Sequence, residues 1–150
     1  MQAKTSYREA AVRGASPVQL VICLYEQAIE DLRRAIIAQE KGAIEVRTSQ
    51  INHALMVLGQ LQGTLDKQRG GEVALHLERF YSVVRAGLID AQLKQSTRIL
   101  EQQILQLAIV HEAWLEVERA TVASTPQSAE SAPRQPETPS LGTPSANWNA

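Results

Sequence analysis

The residues able to do acid–base, nucleophilic or metal chemistry are few in this chain, and they do not converge. His53, His76 and His111 fall in three different helical segments. None has the His-x-x-x-His or Glu-x-x-His spacing that puts two metal ligands on one helix face. His111 lies on an apolar stripe, where a hydrogen-bonded core or boundary histidine is the simpler reading. Cys23, the single cysteine, has no internal disulfide partner and fits a reducing compartment. Nothing beside it in sequence would lower its pKa and make it reactive. The carboxylates of Glu30-Asp31 and Glu116/Glu118 fall on faces expected to be solvated, where no desolvation would ready one of them as a general acid. Gly70-Gly71-Glu72 lacks the GxGxxG and Gly-Lys-Ser/Thr patterns of phosphate loops and follows no strand. A helix-breaking turn with Glu72 near the positive end of the next helix accounts for it. No catalytic residue, cofactor or metal ligand is expected, and the chain is read as a non-enzyme.

The elements around these residues are more informative. Between Pro17 and about Arg119 there is no second proline, and apolar residues recur at helical spacing in four blocks. Ser16-Pro17-Val18-Gln19 reads as a helix start, with Ser16 as N-cap, Pro17 in the first position and Gln19 completing a capping box. The first helix is expected over Pro17 to Glu40, stopped by Gly42 in the left-handed capping conformation. The second is expected over Ala43 to Asp66, the third over Glu72 to Gln92, and the fourth over Thr97 to Arg119 with Ser96 as its cap. Helices of about 20 residues are about 30 Å long, and linkers this short turn each helix back on the last. The predicted fold is all-α, an antiparallel up-and-down four-helix bundle spanning residues 16–120.

The ends differ in composition. Residues 1–15 carry a short apolar set (Tyr7, Ala10, Ala11, Val12) cut off from the first helix by Gly14, and read as a mobile N-terminal arm. Residues 121–150 hold five of the six prolines amid Ser, Thr, Ala and Gln. Such a composition buries too little surface to offset the entropy of ordering, so a disordered C-terminal tail is expected.

Composition excludes some partners and leaves an apolar surplus. A net charge of −1 is a poor match for nucleic acid. No apolar run approaches the roughly 18 residues of a membrane span. On a helical wheel the apolar residues of the first helix, Leu24 and Tyr25 among them, cover an arc of about 200°, nearly twice what one-sided packing needs. Such a helix either sits at the centre of a bundle or walls a groove for another helix. Leu75, Ile89 and Leu93 lie off the main stripe of the third helix, and Val46, Met56 and Val57 off that of the second. They are either scattered surface hydrophobes or the walls of external grooves that receive a partner's helices.

In order and spacing these residues resemble the flagellin export chaperone family, FliS. The shared pattern is Tyr7 nine positions and Val12 four positions before Ser16-Pro17, then Gln19-Leu20 and Leu24-Tyr25. It continues through Ile51 and Ala54, Thr64-Leu65-Asp66, Gly70-Gly71-Glu72 and Ala113-Trp114. Departures occur at Glu26-Gln27, at Phe80 to Val83 and at Ala91-Gln92. The resemblance implies a cytoplasmic type III secretion chaperone that binds flagellin's C-terminal helical segment and prevents premature polymerisation. It makes Tyr7, Val12, Leu24, Tyr25, Ile51, Ala54, Met56, Val57, Leu75, Ile89 and Leu93 candidate flagellin-binding residues, with Tyr7 and Val12 either a displaceable lid or a simple tether. The cytoplasmic part of the flagellar export gate and a second copy of the chain are further candidate partners. The alternative is a self-associating helical adaptor with no secretion client.

Overall fold

The structure, a computed structural model, describes Gly14 and residues 16–124. Four helices follow in order: α1 (Pro17–Glu40), α2 (Ile44–Gly63), α3 (Lys67–Lys94) and α4 (Thr97–Ser124). Connections of two or three residues fold each helix back along its predecessor, giving the expected up-and-down bundle. The compact unit that contains it extends to Glu116. Tyr7, Val12 and the rest of the arm, like residues 125–150, lie outside the described residues.

The helix ends are set by local hydrogen bonds. Ser16 and Gln19 form the capping box, with the Gln19 N–H donating to Ser16 Oγ at 3.2 Å and the Ser16 N–H to Gln19 Oε1 at 3.0 Å. At the other end of α1 Gly42 takes φ 75°. There Ala43 N–H donates to the Ala38 carbonyl and Gly42 N–H to that of Gln39, the double closure of a Schellman turn. Ser96 Oγ accepts from the Ile99 N–H and caps α4 as expected.

The larger departures from the sequence reading fall at three boundaries. α2 ends at Gly63, because the Thr64 hydroxyl donates to the Leu61 carbonyl and the chain turns. Asp66, expected to end α2, instead caps α3, its Oδ1 accepting from the Gln68 and Arg69 N–H groups. α3 therefore begins five residues before Glu72 and contains a break at Gly71 (φ 54°, ψ −128°). α4 runs to Ser124, past the expected end at Arg119, through a stretch without Gly or Pro in which the Thr121 hydroxyl bonds back to the Val117 carbonyl.

The core is built around α1. Its buried residues, from Val21 to Ala38, wrap around most of the helix and pack with Ile51, Ala54, Val57, Leu58 and Leu61 of α2, Tyr81, Val84, Leu88 and Ala91 of α3, and Leu100 and Leu107 of α4. Of the two readings left open for α1, the central position holds for its buried residues from Val21 to Ala38. Two polar links join it to α2. Asp31, expected on a solvated face, is only 1% exposed; it accepts from Gln27 Nε2 at 2.8 Å and lies 2.6 Å from His53 Nδ1. Arg47, also buried, donates to Gln39 Oε1 at 2.7 Å.

Burial raises the Asp31 pKa above its ordinary value, outweighing the opposite influence of His53, Gln27 and Arg34. A carboxyl that holds its proton more tightly when folded contributes stability below its unfolded pKa and loses it as pH rises through the folded one. Asp31→Asn should remove that loss. Urea unfolding of both proteins between about pH 3 and about pH 7 should show the difference in stability moving in the variant's favour as pH increases.

Candidate functional site

At the end of the bundle where α1 begins, an apolar groove of about 560 Å³ opens between α1, the α2–α3 turn and α3. Pro17, Val18, Leu20, Val21 and Leu24 form one wall. Leu65, Val73, Ala74, Leu77 and Tyr81 form the other, Trp114 of α4 joins the lining, and Asp66 and Arg69 supply charge at the α2–α3 turn.

The groove owes its shape to the glycine pair. Gly71 adopts a backbone conformation that side chains disfavour, so the turn Lys67–Gly70 leaves the axis of the rest of α3. A Cβ on Gly70 would stand 2.8 Å from the Ala74 Cβ, so the turn can close onto the helix only without one. An ion pair across the break, Lys67 Nζ to Glu78 Oε2 at 2.8 Å, fastens it. Gly70-Gly71-Glu72 is thus the helix-breaking turn that the sequence predicts, preceded by the short helical turn Lys67–Gly70 and followed by the long part of α3.

Beneath the groove lies an aromatic cluster. The Tyr25 hydroxyl donates to that of Tyr81 at 2.9 Å, and their rings are tilted at 58° with centroids 6.1 Å apart. The Phe80 ring is tilted at 55° to that of Tyr81, with centroids 5.8 Å apart. Burial pushes the Tyr25 phenol well above the usual tyrosine range and raises that of Tyr81; Tyr81 adds to the effect on Tyr25, and Trp114 works against it. Beside this cluster His111 Nε2 meets Glu26 Oε2 at 2.9 Å, a boundary histidine as expected.

A second depression of about 580 Å³ is lined by α2 alone, from Ile44 to Met56, with His53 on its inner side. Among the described residues no group of three His, Cys, Asp or Glu side chains is placed to hold a metal ion. Nor is any helix there long and apolar enough to cross a membrane.

Residues 1–121 match the family described as flagellar protein FliS. The chain belongs to the FliS family. It is 33% identical to the flagellar secretion chaperone FliSB of Pseudomonas aeruginosa over 106 residues, 71% of this chain and 84% of that protein. It is 30% identical to the flagellar secretion chaperone FliS of Salmonella typhimurium over 110 residues, 73% of this chain and 82% of that one. The Bacillus subtilis FliS is 24% identical over 110 residues, 73% of this chain and 81% of its own length. The FliS match stops at residue 121, three residues before α4 ends.

The structure divides the candidate binding residues of this FliS-family chain into two groups. Leu24, Tyr25, Ile51, Ala54 and Val57 are core residues, each no more than 2% exposed, and of these Leu24 also lines the groove. Val57, expected off the stripe of its helix, points inward, because the face of α2 toward the core is wider than the stripe chosen for it. Met56, Leu75, Ile89 and Leu93 are exposed as expected, Leu93 most of all at 78%. The groove lining from Leu65, Val73, Leu77, Tyr81 and Trp114 was not among the candidates. The signal that could have found it was a Gly-Gly break next to an apolar stripe that also carries a tryptophan partner on another helix.

In a spectrophotometric titration, phenolate absorbance near pH 10, about where a free tyrosine is half ionised, should be the same for the wild type and Tyr25→Phe. A clear drop in the variant would mean that Tyr25 ionises like a solvated phenol.

Proposed function

We propose that this chain is a cytoplasmic flagellar secretion chaperone that seats the C-terminal helical segment of flagellin in the groove between α1 and α3. The apolar groove at the head of α1 carries this reading, and the names of its relatives, flagellar secretion chaperones, supply the client class. An amphipathic helix that is unpartnered before filament assembly needs its apolar face covered, and a preformed apolar groove does so without catalysis. Folding of the client on binding gives a large interface whose ordering cost moderates affinity, which suits handover to the export gate.

The arm belongs to the same proposal. It runs directly into Pro17 and Val18 of the groove wall, and at about 3.3–3.6 Å per residue both Val12 and Tyr7 lie within reach of the groove. In this reading the arm lies in the groove until the client displaces it. Met56, Leu75, Ile89 and Leu93 extend the client's path over the outside of α2 and α3. Tyr25, Ile51, Ala54 and Val57 support the groove from within.

Size-exclusion chromatography of the mixed proteins at micromolar concentration should give a stoichiometric complex with flagellin that is lost when flagellin's C-terminal segment is removed. Val73→Glu tests the groove itself. The side chain is 66% exposed, so the fold tolerates the change, but the charge would be buried beneath a seated helix. Affinity should fall by roughly tenfold or more with the circular dichroism spectrum unchanged. Removing residues 125–150 should leave both helicity and client binding intact. Loss of either would assign the tail a structural or binding role.

A further inference from the structure

The outer face of α4 is apolar at its middle and oppositely charged toward its two ends. Leu105 and Ile109, one turn apart, are 63% and 68% exposed. Leu107 between them is fully buried, so the face they share points away from the core. At about 100° per residue, Arg98 and Glu116, both exposed, fall on the same line, and the four side chains span an arc of about 40° opposite Leu107. Their spacing is symmetrical about that residue. Leu105 and Ile109 lie two positions to either side of it, and Arg98 and Glu116 nine positions to either side. Val83 of α3 widens the patch. It is exposed one turn before Gly87, which packs against the Gln103 side chain of α4, and because the two helices run antiparallel Val83 stands level with Leu107.

A row that carries a cation at one end, a carboxylate at the other and an apolar pair between them is complementary to its own reversed copy. A two-fold axis level with Leu107 sets Leu105 of one copy against Ile109 of the other and places Arg98 of each opposite Glu116 of its neighbour. A parallel pairing would set Arg98 on Arg98 and Glu116 on Glu116. Within one copy Arg98 is poorly served: it stands in the first turn of α4, where the helix dipole disfavours a cation, and it makes no ion pair among the described residues. We propose that α4 is a self-association face, on which two copies of this chain pair through antiparallel α4 helices with Leu105 and Ile109 at the centre and Arg98–Glu116 pairs at the rim. None of these residues lines the groove, so pairing and client seating draw on different side chains. Two large apolar residues per α4 make a small contact, which sets the association in the weak class of reversible dimers.

Sedimentation equilibrium of the full chain from about 1 μM to about 1 mM tests this. The weight-average mass should rise from that of the monomer toward that of the dimer. Ile109→Glu, which would bury a charge at the centre, should weaken association about tenfold or more. Arg98→Glu and Glu116→Arg should each weaken it about threefold by opposing like charges, and the double variant Arg98→Glu/Glu116→Arg should recover the wild-type value. A chain monomeric throughout, a dimer indifferent to Ile109→Glu, or a double variant no tighter than the single ones would overturn the proposal. All three altered side chains are exposed, so circular dichroism spectra should match; should Ile109→Glu not fold, the charge exchange alone decides. An excess of the C-terminal segment of the host's flagellin should leave the dimer intact. Its dissociation by the segment would assign this face to the client instead and overturn the proposal.

Discussion

α1 must be covered on several sides at once, and the rest of the bundle is arranged to do it. Its buried residues include not only the aliphatic series from Val21 to Ala38 but also Gln27 and Asp31, so polar groups had to be taken inside with the apolar ones. A helix with this much apolar arc is not satisfied by a single neighbour. α2 covers one flank, α3 and α4 supply Tyr81, Val84, Leu88, Leu100 and Leu107, and the last stretch of wall, around Pro17, Val18 and Leu20, is left open. The groove is the part of the α1 surface that the protein's own helices do not close.

The polar groups brought inside are handled in two ways. Asp31 is met by Gln27 on its own helix and His53 on the next, and Arg47 by Gln39 across the α1–α2 turn. These bonds fix how α1 and α2 sit against each other, since a slip along the helix axis would separate partners that burial deprives of water. The tyrosine pair ties α1 to α3 in the same manner, directly below the groove. The groove therefore stands on a floor held by directional bonds, whereas its rim near Lys67 is held by an exposed ion pair.

Much of this could be read from residue spacing. The start of α1 at Ser16-Pro17, its end at Gly42 and the cap at Ser96 depend on contacts within a few residues, and all were legible. The α2–α3 boundary was not. Thr64-Leu65-Asp66 continues a helical pattern on paper, and only the hydrogen bonds of Thr64 to the helix behind and of Asp66 to the helix ahead divide it. Asp31 was misplaced for a related reason: its partner His53 is 22 residues away on another helix. For the candidate site, periodicity separated exposed Met56, Leu75, Ile89 and Leu93 from the core but misassigned Val57. The groove was invisible because its walls come from segments distant in the chain, and a wheel drawn for one helix cannot show which part of it a neighbour leaves bare.

The turn between α1 and α2 bears on how the molecule comes to be folded. Three residues link the helices, with a Schellman closure at Gly42, and the Arg47–Gln39 bond spans only eight positions. Contacts this close in sequence cost little loop entropy, which places the α1–α2 hairpin among the structures that form rapidly and can form before later segments leave the ribosome. The most heavily buried helix acquires its first partner at once, so its wide apolar surface is exposed only briefly to other chains. This member of the FliS family is thereby spared prolonged exposure of its own sticky helix during its synthesis.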